Sequence, residues 1–181
     1  NLLGVDPATG QVLWRRPFKT NLWVNIMTPL VYGDTVIVSG NEIGIFAFRI
    51  GRQGGAWSAE QVWLNTEVPF HMSNPVLVGD TLYGQSNKSS GQFCAVDAKT
   101  GRTLWKTQGR EGDNTAVARA GDVLLMLKDS AELIVAKASV TGFEPIERYT
   151  VADSATYAQP AFVGDRIYVK DTSALTLWSV N

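Results

Sequence analysis

Ala95-Val96-Asp97-Ala98-Lys99-Thr100-Gly101-Arg102-Thr103-Leu104-Trp105 reads as the end of one β-strand, a tight turn on Thr-Gly, and a second strand closing on an indole. The chain opens with the same phrase, Asp6-Pro7-Ala8-Thr9-Gly10-Gln11-Val12-Leu13-Trp14 behind Val5. Two copies of one strand-turn-strand phrase point to an internal repeat, which decides the fold before any single residue does.

The repeat has a second marker. An apolar segment ending in Gly-Asp and followed by a β-rich run occurs at Gly33-Asp34, Gly79-Asp80, Gly121-Asp122 and Gly164-Asp165, at spacings of 46, 42 and 43 residues. Pro29-Leu30-Val31-Tyr32 precedes the first pair and Thr35-Val36-Ile37-Val38 follows it; Pro160-Ala161-Phe162-Val163 and Arg166-Ile167-Tyr168-Val169 frame the last. Each is a hairpin, because glycine and aspartate tolerate the backbone angles of a tight β connection and the flanks are β-branched or aromatic. A third strand follows each hairpin, as in Gln92-Phe93-Cys94-Ala95-Val96, and a fourth follows the Thr-Gly turn.

Four antiparallel strands per unit, with no helical stripe competing, predict an all-β chain of propeller blades. The expected division is a partial blade over 1–22, three whole blades over 23–66, 67–110 and 111–153, and a partial blade over 154–181. Gly51 to Ala56 reads as an insertion that forms a flexible excursion at a blade edge; it lacks the Lys-Ser/Thr ending of a phosphate loop. The third copy decays to Ser139-Val140-Thr141-Gly142, with Tyr149 where a tryptophan is expected.

The phrase at residues 95–105, echoed at 5–14, resembles the tryptophan-docking motif of the pyrroloquinoline-quinone-like (PQQ-like) propeller repeats. The resemblance implies a ring of seven or eight blades, of which this chain supplies about half. It also implies that Trp14, Trp63 and Trp105 pack across to the next blade, where each buried indole removes on the order of 200 Å² from water. Such propellers occur in quinone-dependent alcohol dehydrogenases, in outer-membrane assembly scaffolds and in sensor domains, and fold does not choose among them. Similar bacterial proteins work outside the cytoplasm, so a periplasmic or extracellular site is expected. The dehydrogenase members carry PQQ with Ca²⁺ and often a disulfide between adjacent cysteines. Cys94 is the only cysteine and cannot make that bond within this chain.

Composition limits the partners. Sixteen basic against seventeen acidic residues leave a net charge of −1, which favours neither nucleic acid nor an anionic membrane surface. No apolar run approaches the roughly twenty residues of a membrane span, and the opening residues show no signal peptide.

In a propeller the loop leading into each innermost strand opens beside the central channel, so equivalent loop positions converge there. Eight residues before the Gly of each Gly-Asp stand Asn25, His71, Asp113 and Thr156; five before stand Thr28, Asn74, Ala116 and Gln159. These columns are polar although the strands they enter are apolar, and Trp23 and Tyr157 lie beside them. Two explanations compete: a polar rim that binds a ligand, or ordinary turn-forming and solvated residues.

His71, the only histidine, is a candidate general base and could pair with Asp113 across neighbouring blades. The four Gly-Asp aspartates recur for turn geometry and lie too far apart to share one ion. Asn87-Lys88-Ser89 satisfies the glycosylation tripeptide. The expected function is a non-catalytic scaffold presenting loops and a funnel to a protein or small ligand, with no cofactor and with the rest of the ring supplied by the parent chain or a second copy. The main alternative is a PQQ- and Ca²⁺-dependent dehydrogenase in which Asn74 or Asp113 contacts metal or cofactor; a hydrolase or lyase using His71 is a third.

Overall fold

A computed structural model describes residues 1–20 and 24–179. The described residues form strands with a single 3₁₀ turn at Lys88–Ser90 and no α-helix. A two-stranded sheet comes first, from β1 (Leu2–Val5) and β2 (Val12–Arg16). Three four-stranded antiparallel sheets follow. They are β3 (Leu30–Tyr32), β4 (Thr35–Gly40), β5 (Gly44–Gln53) and β6 (Ala56–Asn65); then β7 (Val76–Val78), β8 (Thr81–Ser86), β9 (Gln92–Asp97) and β10 (Thr103–Lys106); then β11 (Thr115–Ala120), β12 (Val123–Lys128), β13 (Glu132–Lys137) and β14 (Glu144–Thr150). A three-stranded sheet of β15 (Ala161–Val163), β16 (Arg166–Lys170) and β17 (Leu175–Ser179) ends the chain.

Every Gly-Asp pair sits in a two-residue hairpin connection: Tyr32 faces Thr35, Val78 faces Thr81, Ala120 faces Val123 and Val163 faces Arg166. The four glycines hold φ of 58 to 64° while their aspartates stay at negative φ, the pattern of a type II′ turn. Nothing lies within 4 Å of a Cβ built on any of the four, so the backbone angle and not space demands glycine there.

Strand alternation then builds cores between sheets. On β9, Cys94 and Val96 join Ile37, Ile45, Ala47 and Trp63 of the preceding sheet, whereas Phe93 and Ala95 join Val117, Leu124, Met126 and Ile134 of the following one. A third core places Leu127 and Leu133 against Ile167 and Val169. The β7–β10 and β11–β14 sheets are thus buried on two faces by their neighbours, the reason their middle strands carry near-continuous apolar runs.

Trp63 and Trp105 sit at these interfaces. Trp63 is 9% exposed, and its indole N–H donates to the carbonyl of Ala98 in the next sheet at 3.1 Å. Trp105 donates to the carbonyl of Ser139 at 2.8 Å, again in the turn after the third strand of the next sheet. Trp14 departs from the expectation. Its ring lies over Gly4 of its own sheet, where an added Cβ would come within 2.0 Å of the indole nitrogen. The cross-strand partners of Trp63 and Trp105 are Ala47 and Ala95, whose methyl groups deny the ring that seat. Tyr149 does not replace the missing tryptophan: β14 is exposed throughout and Tyr149 is 51% exposed. Trp178 on β17 binds backwards instead, donating to the carbonyl of Val151 at 3.0 Å.

The Gly51 insertion is ordered rather than an excursion. It lengthens β5 and β6 to ten residues each, paired out to Gln53 and Ala56 around Gly54-Gly55, with the Arg52 guanidinium 5.5 Å from the Trp57 ring.

Candidate functional site: a laced loop platform

Antiparallel order puts two sets of loops at one end of the sheets. These are the lead-in loops 24–29, 66–75, 107–114 and 151–160, and the loops between second and third strands at 41–43, 87–91, 129–131 and 171–174. The Gly-Asp turns lie at the opposite end. There the Asp80 carboxylate takes hydrogen bonds from the Tyr32 hydroxyl of the preceding sheet and from Lys99, each at 2.5 Å, and holds its own pKa below the usual carboxylate range through them, Lys99 first. Asp34 pairs with Arg49 at 3.3 Å.

At the loop end, polar side chains pin each lead-in loop to its neighbour. Asn74 Oδ1 accepts the backbone N–H of Thr28 at 2.8 Å. Ser73 accepts from the N–H of Thr115 and donates to Asn114 Oδ1 at 3.1 Å. Asp129 accepts from the N–H groups of Asp113 and Asn114, at 3.1 and 3.2 Å. Thr156, 2% exposed, donates its hydroxyl to the Lys128 carbonyl at 2.6 Å. Thr156 is therefore a buried tie and is not open at a rim; the Lys128 carbonyl it bonds also accepts the Ala131 N–H at 3.0 Å. Gln159 reaches the Val117 carbonyl at 3.4 Å, while Asn25, Thr28, Asn74 and Tyr157 are exposed. Trp23 lies outside the described residues.

His71 and Asp113 do come together. With Met72, Asn87, Gly91 and Gly112 they line a pocket of about 320 Å³. Its floor is where two loops are laced: the N–H groups of Arg110, Glu111 and Gly112 donate to the carbonyls of Ser89, Gly91 and Ser90, and Gln85 Nε2 donates to the Gly112 carbonyl at 2.6 Å. A Cβ on Gly91 would fall 2.1 Å from that carbonyl oxygen, so only glycine permits the approach. On the other side of the lacing, Ser89, Ser90, Gln108, Gly109 and Arg110 line a more open pocket of about 510 Å³. Ser89, Ser90 and Arg110 hold φ of 53, 59 and 67°, a left-handed backbone that costs such residues about 1 kcal/mol or more apiece.

Sequence reasoning named Tyr157 but missed the column it belongs to. Seven residues before the Gly of Gly-Asp stand Ile26, Met72, Asn114 and Tyr157, of which the three apolar members are 49, 48 and 69% exposed. The signal was available one position beyond the polar column, as apolar side chains repeating in loops where solvation favours polar ones.

Sheets of four antiparallel strands, packed face to face through cores shared by successive sheets, define the β-propeller class. The indole-pinned interfaces narrow it further, and the chain belongs to the PQQ-like propeller family: the family profile described as outer membrane protein assembly factor BamB matches residues 1–107. BamB from Moraxella catarrhalis is similar at 13% identity and a TM-score of 0.51, over 98% of this chain and 66% of that one. The quinohemoprotein alcohol dehydrogenase ADHIIG from Pseudomonas putida HK5 is similar at 13% identity and a TM-score of 0.60, over 98% of this chain and 39% of that one. The computationally designed Ika8 protein reaches a TM-score of 0.60 at 9% identity, over 96% of this chain and 63% of its own. At these identities the likeness is one of fold. The chain spans 66% of the BamB structure and 39% of the dehydrogenase. No curated protein matches it.

Proposed function

We propose that the chain is part of a non-catalytic propeller scaffold, acting in the periplasm or outside the cell, that binds a polypeptide partner on its laced loop end. One observation carries the reading: loops pinned by buried side-chain ties present exposed apolar groups and a cation together. Ile26, Met72 and Tyr157 stand at one position in three of the four lead-in loops, and Arg110, with no side-chain partner among the described residues, stands on the strained lead-in loop between those of Met72 and Tyr157. Aromatic, methionine and arginine side chains on a rigid frame are the composition of interface anchors, because little ordering entropy remains to be lost on binding. The family profile's description as an assembly factor supports both the role and the compartment.

The dehydrogenase alternative fits the residues less well. Asn74, which it would place on the metal or cofactor, has its amide oxygen engaged by Thr28 at 2.8 Å. Asp113 shares its pocket with His71, and no group of three ligating side chains is gathered there among the described residues.

The test is site-specific photo-crosslinking of the intact protein in an extract of its native host. Probes at Met72 and Gln108 are expected to yield polypeptide adducts, and a probe at Asp122, at the opposite end, none. Arg110→Ala should cut the adduct yield about tenfold without altering the circular dichroism spectrum, the size expected for losing one charged anchor. Equal labelling at both ends, or at neither, refutes the proposal.

A further inference from the structure

The pocket lined by His71, Met72, Asn87, Gly91, Gly112 and Asp113 has an unusual balance of hydrogen-bonding groups. Several of the donors in and beneath its walls are already spent. Asn87 Nδ2 donates to Asn41 Oδ1 at 3.0 Å, and Gln85 Nε2 to the Gly112 carbonyl at 2.6 Å. The N–H groups of Gly91 and Gly112 donate to the carbonyls of Lys88 and Ser90, and that of Asp113 to Asp129. Three acceptors are unengaged among the described residues: the Asp113 carboxylate, Asn87 Oδ1 and one nitrogen of the His71 imidazole. Beneath the glycine floor lies Gln85, 2% exposed, whose Oε1 has no hydrogen-bond partner. The amide is that close because a Cβ on Gly91 would come within 2.6 Å of Gln85 Nε2. A second carboxylate stands behind the other glycine, since a Cβ on Gly112 would fall 2.7 Å from Asp129 Oδ1.

Unengaged acceptors beside two carboxylates favour a ligand that is rich in donors and positively charged. Lys128, the cation nearest in sequence to Asp129, is held by Glu132 at 3.1 Å and Glu111 at 3.9 Å. A phosphate or carboxylate would meet like charge at Asp113 and, behind Gly112, at Asp129. A neutral sugar would bring no charge to answer those carboxylates. A primary ammonium brings three donors, one positive charge and no acceptor. Its alkyl chain would leave past the Met72 thioether, 48% exposed and without a polar demand of its own.

From this balance we infer that the pocket is a binding site for a primary alkylammonium group, supplied by a free amine or by a lysine side chain. The site stands independently of the scaffold reading; only the lysine source rests on it.

The test follows the imidazole proton resonances of His71, assigned by their disappearance in His71→Gln, during titration of the intact protein at constant ionic strength. n-Butylammonium chloride is expected to shift them saturably, and sodium chloride and glucose are not. Asp113→Asn should weaken the binding at least about tenfold, the size of one charge-assisted contact. This variant keeps its fold, because Asp113's side chain makes no bond among the described residues and its backbone is held by Asp129. A lysine peptide binding ten times more tightly than butylammonium assigns the source to a polypeptide; equal affinities assign it to a free amine. No saturable shift, an unchanged affinity in Asp113→Asn, or equal binding of the same peptide with its lysine acetylated overturns the inference. None of these outcomes depends on the crosslinking result.

Discussion

Trp63 and Gly101 should be coupled across the interface between neighbouring sheets, and the structure sets the size of the coupling. The indole of Trp63 is 9% exposed and donates to the Ala98 carbonyl at 3.1 Å. Removing a buried aromatic costs about 3–5 kcal/mol, so Trp63→Ala is expected to destabilise by that amount. Gly101 lies flat against the ring at φ 75°, where an added Cβ would stand 2.4 Å from Cε3 and 2.6 Å from Cδ2. Gly101→Ala therefore carries two penalties: about 1–2 kcal/mol for a left-handed backbone and about 1–3 kcal/mol for overpacking. With Trp63 already removed, the second penalty vanishes, and the same substitution should cost only the first. The double variant is thus expected to be about 1–3 kcal/mol more stable than the sum of the singles. Gly10 supplies the control: it occupies the equivalent turn at φ 74° with nothing within 4 Å of its built Cβ, so Gly10→Ala should cost about 1–2 kcal/mol. Urea unfolding of each variant, followed by far-ultraviolet circular dichroism, measures all of these. Additivity of Trp63→Ala and Gly101→Ala within about 0.5 kcal/mol would refute the contact as the cause.

Two further outcomes test the core and its pH range. Burial pushes the Cys94 thiol up to about 12, and its Sγ lies 3.7 Å from the Gly84 carbonyl, so disulfide reagents at pH 8 should label it only as fast as the protein unfolds. Labelling that is rapid without denaturant and insensitive to urea would contradict that burial. Asp171 accepts the backbone N–H groups of Ala174 and Ser173 at 2.6 and 2.8 Å, which lowers its pKa to about 2. A folded pKa below the unfolded value of about 4 gives stability that is complete above pH 4 and disappears as pH falls through 2. Thermal unfolding between pH 2 and 6 should therefore show a shallower acid limb in Asp171→Asn; an identical limb would remove the carboxylate from the account.

The sheets were legible because their signals are local. Gly33, Gly79, Gly121 and Gly164 must hold positive φ, which fixes four hairpins and with them the registers on either side. Trp105 follows from the phrase it ends, and Trp63 from its place in the repeat after the Gly51 insertion. Trp14 ends the same phrase and folds elsewhere, because the residue across the hairpin is Gly4 where the other copies have alanine. That difference of one methyl group is visible in the sequence, yet it acquires meaning only when the register shows which residue faces the ring.

The loop end resisted reading for a different reason. The polar columns found by alignment are real, but alignment does not say whom a polar side chain serves. Asn74 and Thr156 are spent on neighbouring backbone at 2.8 and 2.6 Å, while His71 and Asp113, in the same columns, are left free at a pocket. The difference is set by the loop between second and third strands. Where that loop supplies Asp129, its carboxylate caps the N–H groups of Asp113 and Asn114, and the Asp113 side chain is left unengaged among the described residues. Lacing 88–91 to 108–112 then bends Ser89, Ser90 and Arg110 into a backbone their side chains disfavour, and no propensity announces it. A local penalty that neighbouring loops sustain together is a tertiary fact, and here it falls where the surface has groups to offer a partner.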